Sequence, residues 1–110
     1  MIDNRKLDNL MDELSFPEGF SGTELIRRAV ERIDAERGIS MTKELYPALA
    51  KAAGINAGQV ERNIRSAISN AIDCCDWAET QLAWQGFMRG QAPTNREVLC
   101  RLARRCRVED

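Results

Sequence analysis

The sequence predicts an all-α fold, a compact bundle of five to six helices. Apolar residues recur every three to four positions, and no stretch alternates with the period of two that a half-buried strand needs. Two capping-box patterns, a polar residue followed three positions later by Gln or Glu, mark helix starts at Asn56 and Thr94. At 110 residues, with 44% hydrophobic and 30% charged residues, the chain is expected to form one domain over 1–110.

The first two helices are predicted over about 4–14 and from 21 or 22 to 37. The turn-forming stretch at 16–19, which contains Pro17 and Gly19, separates them. Each helix carries one apolar stripe that a core can cover. The stripes consist of Leu7, Leu10, Met11 and Leu14, and of Leu25, Ile26, Ala29, Val30 and Ile33.

The third helix is predicted to begin with Thr42 as its cap and to end at Gly54. Pro47 conflicts with this start, because a proline five positions past the cap removes an intrahelical hydrogen bond. The helix therefore either starts later or is kinked at Pro47. Its predicted inward residues are Leu45, Leu49, Ala50 and Ala53.

The fourth helix is predicted from about Ala57, after the Asn56 cap and with Gln59 completing the capping box. Its inward face consists of Val60, Ile64, Ala67, Ile68, Ala71, Ile72 and Cys75. Its outward face consists of Gln59, Arg62, Asn63, Arg65, Ser66 and Ser69.

The last two helices differ in regularity. The fifth, over roughly 76–87, carries the large apolar residues Trp77, Leu82, Trp84 and Phe87 without a clear stripe. The sixth follows Thr94, with Glu97 completing the second capping box. It is predicted to bury Val98, Leu99, Leu102 and Ala103 and to expose Arg96, Arg101, Arg104 and Arg105.

Helices three and four have the spacing of a helix-turn-helix over about 42–75. Two helices that cross closely need a small residue in the first, a glycine in the turn and an apolar anchor in the second. Ala50, Gly54 and Val60 fill these positions. Any tight helical hairpin satisfies the same pattern, so the pattern alone leaves both interpretations open.

The outward face of the fourth helix favours DNA recognition. Arg can pair with guanine, Gln or Asn with adenine, and a carboxylate with the cytosine amino group in the major groove. Glu61 can instead form an ion pair with Arg65, four positions on. Lys43 can bind phosphate, and the arginines of the last helix either add phosphate contacts or are simply solvated. The residues predicted to bind DNA from these patterns are Lys43, Gln59, Glu61, Arg62, Asn63, Arg65 and Ser66.

Charge and composition constrain the alternatives. The net charge of −1 argues against a strongly nucleic-acid-binding chain, although residues 1–37 are mainly acidic and residues 77–110 mainly basic. With no histidine, no Gly-rich phosphate loop and no nucleophile elbow, an enzyme, a small-molecule substrate and a cofactor are not expected. We expect no metal site, since no CxxC pair exists, and structural free thiols at Cys74, Cys75, Cys100 and Cys106.

No apolar run approaches the length of a membrane span, and the polar start of the chain is unlike a signal peptide. The expected location is the cytoplasm, without membrane contact.

Three blocks of the sequence resemble a known family, the C-terminal effector domain of the stage-zero sporulation master response regulator of endospore-forming Firmicutes. The blocks are TKELYP at 42–47, VERNIRSAI at 60–68 and APTNRE at 92–97. They occur in the family's order with similar separations, and the similarity is expected to run from about Phe20 to Val108, with an unrelated first helix.

The resemblance implies a six-helix domain that binds a short promoter box through a helix-turn-helix, with two copies able to sit in tandem on DNA. Position by position, Glu61, Arg62 and Arg65 match the recognition-helix motif. Lys43 and Asn95 match flanking residues, which adds Asn95 to the predicted DNA-binding set. Pro47 also fits the family pattern.

Two departures from the family stand out. Gln59 replaces an arginine near the start of the recognition helix, so the base preference there is expected to differ. The phosphoacceptor receiver domain is absent from these 110 residues. An alternative function is a protein-interaction module of the same fold that no longer reads DNA. It would use Trp77, Trp84 and Phe87 or the cysteine-bearing faces to bind a partner, such as a full-length relative.

Overall fold

The computed structural model describes residues 1–73, 78–88 and 90–108. Within these ranges the chain is α-helical, and its only β-type pairing is an isolated bridge between Ile2 and Arg107. The all-α prediction is confirmed. The helices are α1 (Asn4–Glu13), α2 (Ser21–Ala35), α3 (Tyr46–Ala53), α4 (Ala57–Asp73), α5 (Ala78–Gln85) and α6 (Asn95–Arg105), with a π-helical turn at Met41–Leu45 directly before α3.

Both predicted capping boxes are present. The Asn56 Oδ1 accepts the Gln59 N–H at 2.9 Å, and the Gln59 Oε1 accepts the Asn56 N–H at 3.1 Å. Thr94 and Glu97 make the same reciprocal pair at the start of α6, at 3.2 and 3.1 Å. These pairs satisfy amide donors that the first turn of a helix otherwise leaves without partners.

The predicted start of the third helix is wrong. Thr42 lies inside a π turn that Ser40 caps: the Ser40 Oγ accepts the Lys43 N–H at 3.3 Å. The regular helix α3 begins only at Tyr46, so Pro47 lies in its first turn, where a missing N–H is tolerated. Of the two ways to accommodate Pro47, the later start is the one observed.

The core is formed where α2 packs against α4 and α6 and where α3 packs against α4. The predicted apolar stripes supply it, except that Ala53, predicted to face inward on the third helix, is exposed. Residues of those stripes that are at most 1% exposed are Leu7, Met11, Leu14, Ile26, Ala29, Val30, Leu45, Val60, Ile64, Ala67, Ala71, Val98, Leu99, Leu102 and Ala103.

An aromatic cluster joins α5 to the end of α1. The buried indole of Trp84 donates to the Leu14 carbonyl at 2.9 Å, and its ring lies 5.6 Å from Phe16 and 5.5 Å from Phe87 between centroids. Trp84 and Phe87, at 1% and 4% exposed, are therefore core residues. Leu82 is 65% exposed, and Trp77 lies outside the described residues.

The two ends of the chain meet beside α2. The Asp34 carboxylate, whose side chain is 6% exposed, lies 2.6 Å from the Met1 α-ammonium and 2.6 Å from the Arg107 Nε. Hydrogen bonds from these two groups lower the pKa of Asp34 below its ordinary value of 3.8. The Val108 N–H donates to the Met1 carbonyl at 2.8 Å, and the Asp3 N–H donates to the Cys106 carbonyl at 2.7 Å.

Two of the four cysteines fall in the described part of the chain, and both are free thiols there. Cys106 is fully buried, and burial raises the pKa of its thiol, whereas Cys100 is partly exposed. The predictions for Cys74 and Cys75 lie outside the described residues.

Across the described ranges, no helix has both the length and the apolar character needed to cross a bilayer.

Candidate nucleic-acid interface

A three-residue turn joins α3 to α4. Gly54 ends α3 with φ 72°, and the N–H groups of Gly54 and Ile55 both donate to the Ala50 carbonyl. That left-handed conformation favours glycine, because a Cβ would be strained there. Ala50 and Val60 are buried where the helices touch. The three positions that predicted a helix-turn-helix therefore have the structural roles the pattern requires.

Within the described part of α4, and apart from Asn63, the polar and apolar faces are divided as predicted. Val60, Ile64, Ala67, Ile68 and Ala71 face the core. Because each residue of a helix is rotated by about 100° from the last, the side opposite this core face is centred on Arg62, with Ser66 one turn later. Both of these residues, and Gln59 and Arg65 beside them, are exposed.

Local bonds orient the first two turns of this face. The Arg62 Nε donates to the Gly58 carbonyl at 3.3 Å, which holds the guanidinium close to the outer surface of the helix. The Oε1 of Gln59 is engaged in the capping box, whereas its amide nitrogen takes no part in that bond. Both side chains thus keep hydrogen-bond donors for a ligand on this side of α4.

Glu61 and Arg65 form the ion pair that the sequence left as an alternative for Glu61. The Arg65 Nη1 lies 2.9 Å from the Glu61 Oε1, with the side chains 60% and 35% exposed. A pair this exposed stabilises the fold little. Its effect is to hold the Arg65 guanidinium beside the carboxylate on one edge of the outward face.

Asn63 lies on the other edge of α4. It is half-buried and lines a groove with Ser21 and Leu25 of α2, Ala53 at the end of α3, and Ile55. Sequence reasoning placed Asn63 on the same face as Arg62. In the structure, Asn63 lies about 100° from Arg62 around the axis of α4, on the side that faces α2.

The Asn95 side chain is engaged within the protein. Its Nδ2 donates to the Glu61 carbonyl at 3.1 Å and lies 3.3 Å from the Tyr46 hydroxyl oxygen. A groove runs between the π turn, α4 and the start of α6, and it is lined by Met41, Thr42, Tyr46, Glu61, Arg65, Pro93, Thr94, Asn95 and Arg96. Lys43 is exposed within the π turn. The structure thus brings Asn95 and Arg96 next to the Glu61–Arg65 edge of α4.

The arginines from Arg101 onward have different positions. Arg101 donates to the Gly86 carbonyl at 2.7 Å, and the Arg105 guanidinium lies 5.0 Å from the centre of the Phe87 ring. Arg107 binds Asp34. Arg101 and Arg105 thus tie α6 to the segment after α5, and Arg107, which follows the end of α6, ties the end of the chain to α2. Arg96, Arg104 and Arg105 are exposed.

Sequence reasoning missed the role of Gly22. A Cβ at this position would lie 2.1 Å from the Asn63 carbonyl oxygen, so α2 and α4 touch backbone to backbone there. The available signal was a glycine in the first turn of a strongly periodic helix, where alanine is otherwise preferred.

The α3–turn–α4 unit, with an exposed polar face on its second helix, has the arrangement of a helix-turn-helix. Residues 7–106 match the family model described as "Sporulation initiation factor Spo0A C terminal", and the chain belongs to this family. The family is one of DNA-binding domains that regulate sporulation transcription, and it is not an enzyme family.

The extent of the match corrects one expectation. The similarity was expected to begin near Phe20, but the match begins at residue 7, within α1. The structure gives a physical reason, because Leu7, Met11 and Leu14 of this segment are buried in the same core as α2 and α6. The first helix is therefore part of the family's domain.

Proposed function

We propose that this chain is a sequence-specific transcription regulator that inserts the first half of α4, from about Ala57, into the major groove of DNA. The observation that carries the proposal is the position of Arg62. It stands at the centre of the exposed side of α4, directly opposite the residues that anchor this helix in the core. In helix-turn-helix proteins the N-terminal part of the second helix contacts base edges.

The residues of this face have distinct chemistry. Arg62 can donate two parallel hydrogen bonds to guanine O6 and N7, and the free amide nitrogen of Gln59 can donate to an acceptor on the neighbouring base. Arg65, held by Glu61, lies at the edge, where it reaches a base or the phosphate beside it. Ser66 and Asn63 flank this exposed side of α4, and Lys43 contacts a phosphate from the π turn.

Contacts of this kind are compatible with a net charge of −1. DNA affinity depends on the cations that face the duplex, because each phosphate they neutralise releases counterions. Lys43, Arg62, Arg65 and Arg96 are exposed on or beside the proposed interface. We therefore expect a moderate affinity that decreases steeply as salt concentration rises.

The test is binding of the wild type and of Arg62→Ala to two duplexes. One is the sequence that the wild type enriches from a random pool, and the other is a scrambled version of it. Loss of a bidentate base contact costs about 1–3 kcal/mol, so Arg62→Ala should weaken binding to the selected duplex by roughly 5- to 150-fold. Arg32→Ala is the matched control, since Arg32 is exposed on α2 and its ion pair there is with Glu36.

Each outcome has a clear meaning. If Arg62→Ala greatly lowers the affinity for the selected duplex alone, and Arg32→Ala leaves both affinities unchanged, the result supports base recognition by α4. Equal binding of Arg62→Ala and the wild type contradicts the assignment of Arg62. If the wild type enriches no sequence, the regulator function itself is contradicted.

We also propose that two copies bind in tandem where two sites adjoin. A duplex with two adjacent selected sites should then give a complex of two proteins with higher affinity than two independent sites, because the second protein meets an already positioned neighbour. Binding that is independent at the two sites contradicts this part of the proposal.

A further inference from the structure

Asn95 connects three separate elements at one point. It is the first residue of α6, and its side-chain amide reaches the backbone of α4 at Glu61 and the hydroxyl of Tyr46 in α3. The partners are 34 and 49 residues away in the sequence. One side chain thus fixes the start of α6 to both helices of the helix-turn-helix.

The bond to Glu61 is made to a carbonyl within α4. A carbonyl oxygen has two lone pairs, so it can accept a side-chain donor in addition to its bond within the helix. A hydrogen bond to the backbone fixes the position of the helix along its axis and its rotation about that axis, regardless of which side chains the helix carries. Asn95 therefore acts on the position of α4 as a whole.

A second backbone contact lies on the opposite side of α4. Gly22 of α2 packs against the Asn63 carbonyl so closely that no side chain fits between them. Positions 61 and 63 differ by about 200° around the helix axis, so Asn95 and Gly22 hold α4 from opposite flanks. Arg62 lies between these two positions and therefore points outward.

We propose that Asn95 is a positioning residue, which sets the placement of α4 for base recognition through the Glu61 carbonyl and does not itself read DNA. This inference rests on the function proposed above. It assigns Asn95 a role different from the direct DNA contact implied by the resemblance. The amide donor that would reach DNA is the same Nδ2 that holds the Glu61 carbonyl.

The first experiment measures binding of Asn95→Ala to the selected and the scrambled duplex described above. A misplaced α4 loses base contacts but keeps phosphate contacts, which depend less on exact geometry. We expect the ratio of the two affinities to fall about tenfold, the usual cost of one mismatched base pair, with binding to the scrambled duplex unchanged. A repeat of the random-pool selection with this variant should show weaker preference at every base pair that the wild type specifies.

The matched control is Thr80→Val. Thr80 is buried on α5 and shares one hydrogen bond of 3.2 Å with Ser15, so this variant also loses a single side-chain bond, but at a place remote from α4. It should leave the affinity ratio unchanged. Asn95→Asp is the second variant if Asn95→Ala does not fold, since it keeps the shape and suits a helix N-terminus but has no N–H donor. Its added negative charge weakens binding to both duplexes, so this effect cancels in the ratio of the two affinities.

Three results would overturn the proposal. An equal loss on both duplexes would indicate a direct phosphate contact by Asn95. A lost preference at one base pair alone would mean that Asn95 reads that base. An unchanged ratio would mean that the bond to Glu61 does not position α4.

A second measurement requires no DNA. In ¹⁵N–¹H spectra, Asn95→Ala should shift the amide resonances of residues 58–66 in α4 and leave those of α1 in place. Unchanged resonances in α4 would overturn the positioning role even if the wild type proved to have no preferred sequence. A wild type without sequence preference, combined with shifted α4 resonances, would instead contradict only the proposed function.

Discussion

Replacement of Gly22 by alanine tests the close contact between α2 and α4. The added Cβ would lie 2.1 Å from the Asn63 carbonyl oxygen and 2.9 Å from the Ala67 Cβ. Both neighbours belong to a packed helix, so neither can rotate away as the end of a flexible side chain can. Ordinary contact begins near 3.4 Å. The two helices must therefore separate by about 1.3 Å, the difference between these distances, or α4 must rotate.

The expected cost follows from two opposing contributions. Insertion of a methyl group into a well-packed contact costs about 1–3 kcal/mol. Alanine in place of glycine within a helix returns up to about 1 kcal/mol. Because the clash involves backbone, we expect a net loss of about 1–2 kcal/mol in the free energy of unfolding. With a urea m-value of about 2 kcal/mol/M, that is a shift of roughly 0.5–1 M in the midpoint.

Urea unfolding followed by circular dichroism measures this shift, with Gly58→Ala as the control. Gly58 is exposed in the first turn of α4, and a Cβ there meets only the Asn56 Oδ1 at 3.3 Å. The same substitution should therefore be much less costly at Gly58, because this neighbour is the end of a side chain and is already close to ordinary contact distance. A midpoint for Gly22→Ala at or above that of the wild type would refute the close contact as described.

Three further predictions concern the core, the caps and pH. Ile64→Ala should lower the free energy of unfolding by about 2–5 kcal/mol, since Ile64 is fully buried on the inner face of α4, and an unchanged melting curve would mean that the faces are reversed. Thr94→Ala should cost about 1 kcal/mol in the same assay because it removes the cap of α6, whereas Thr42→Ala should cost little, and the reverse order would contradict the observed caps. The lowered pKa of Asp34 means that its ionised form stabilises the fold above the unfolded pKa of about 4, and that this contribution is lost as pH falls through the lower, folded pKa. Urea midpoints for Asp34→Asn should therefore lie below those of the wild type at pH 7 and approach them below about pH 4, and a difference independent of pH would contradict this role.

Local patterns account for what the sequence could predict. The capping box at Asn56 involves residues three apart, so its geometry is readable without the rest of the fold. The inward stripe of α4 and the outward position of Arg62 follow from helical periodicity in the same way. The fold class and the core of the candidate interface were therefore predictable.

The features that the sequence could not predict depend on contacts that no local pattern describes. Before the third helix, Ser40 and Thr42 are both residue types that cap helices, and no local sequence pattern distinguishes a π turn capped by Ser40 from a helix capped by Thr42. The half-buried position of Asn63 depends on the approach of α2 at Gly22, 41 residues away. The engagement of Asn95 with Glu61 likewise depends on the packing of α6 against α4, and no spacing rule encodes it.

The meeting of the two chain ends also bears on the order in which the protein folds. The bridge between Ile2 and Arg107 closes a loop of nearly the whole chain, which in an unfolded polymer costs about 4 kcal/mol in loop entropy before any contact repays it. After α2, α4 and α6 have packed, the ends are already close, and most of that cost is gone. We therefore expect this pairing to form late in folding and to open first under native conditions. The amide protons of Asp3 and Val108 should then exchange with solvent through local opening, well before those of the buried turns of α4.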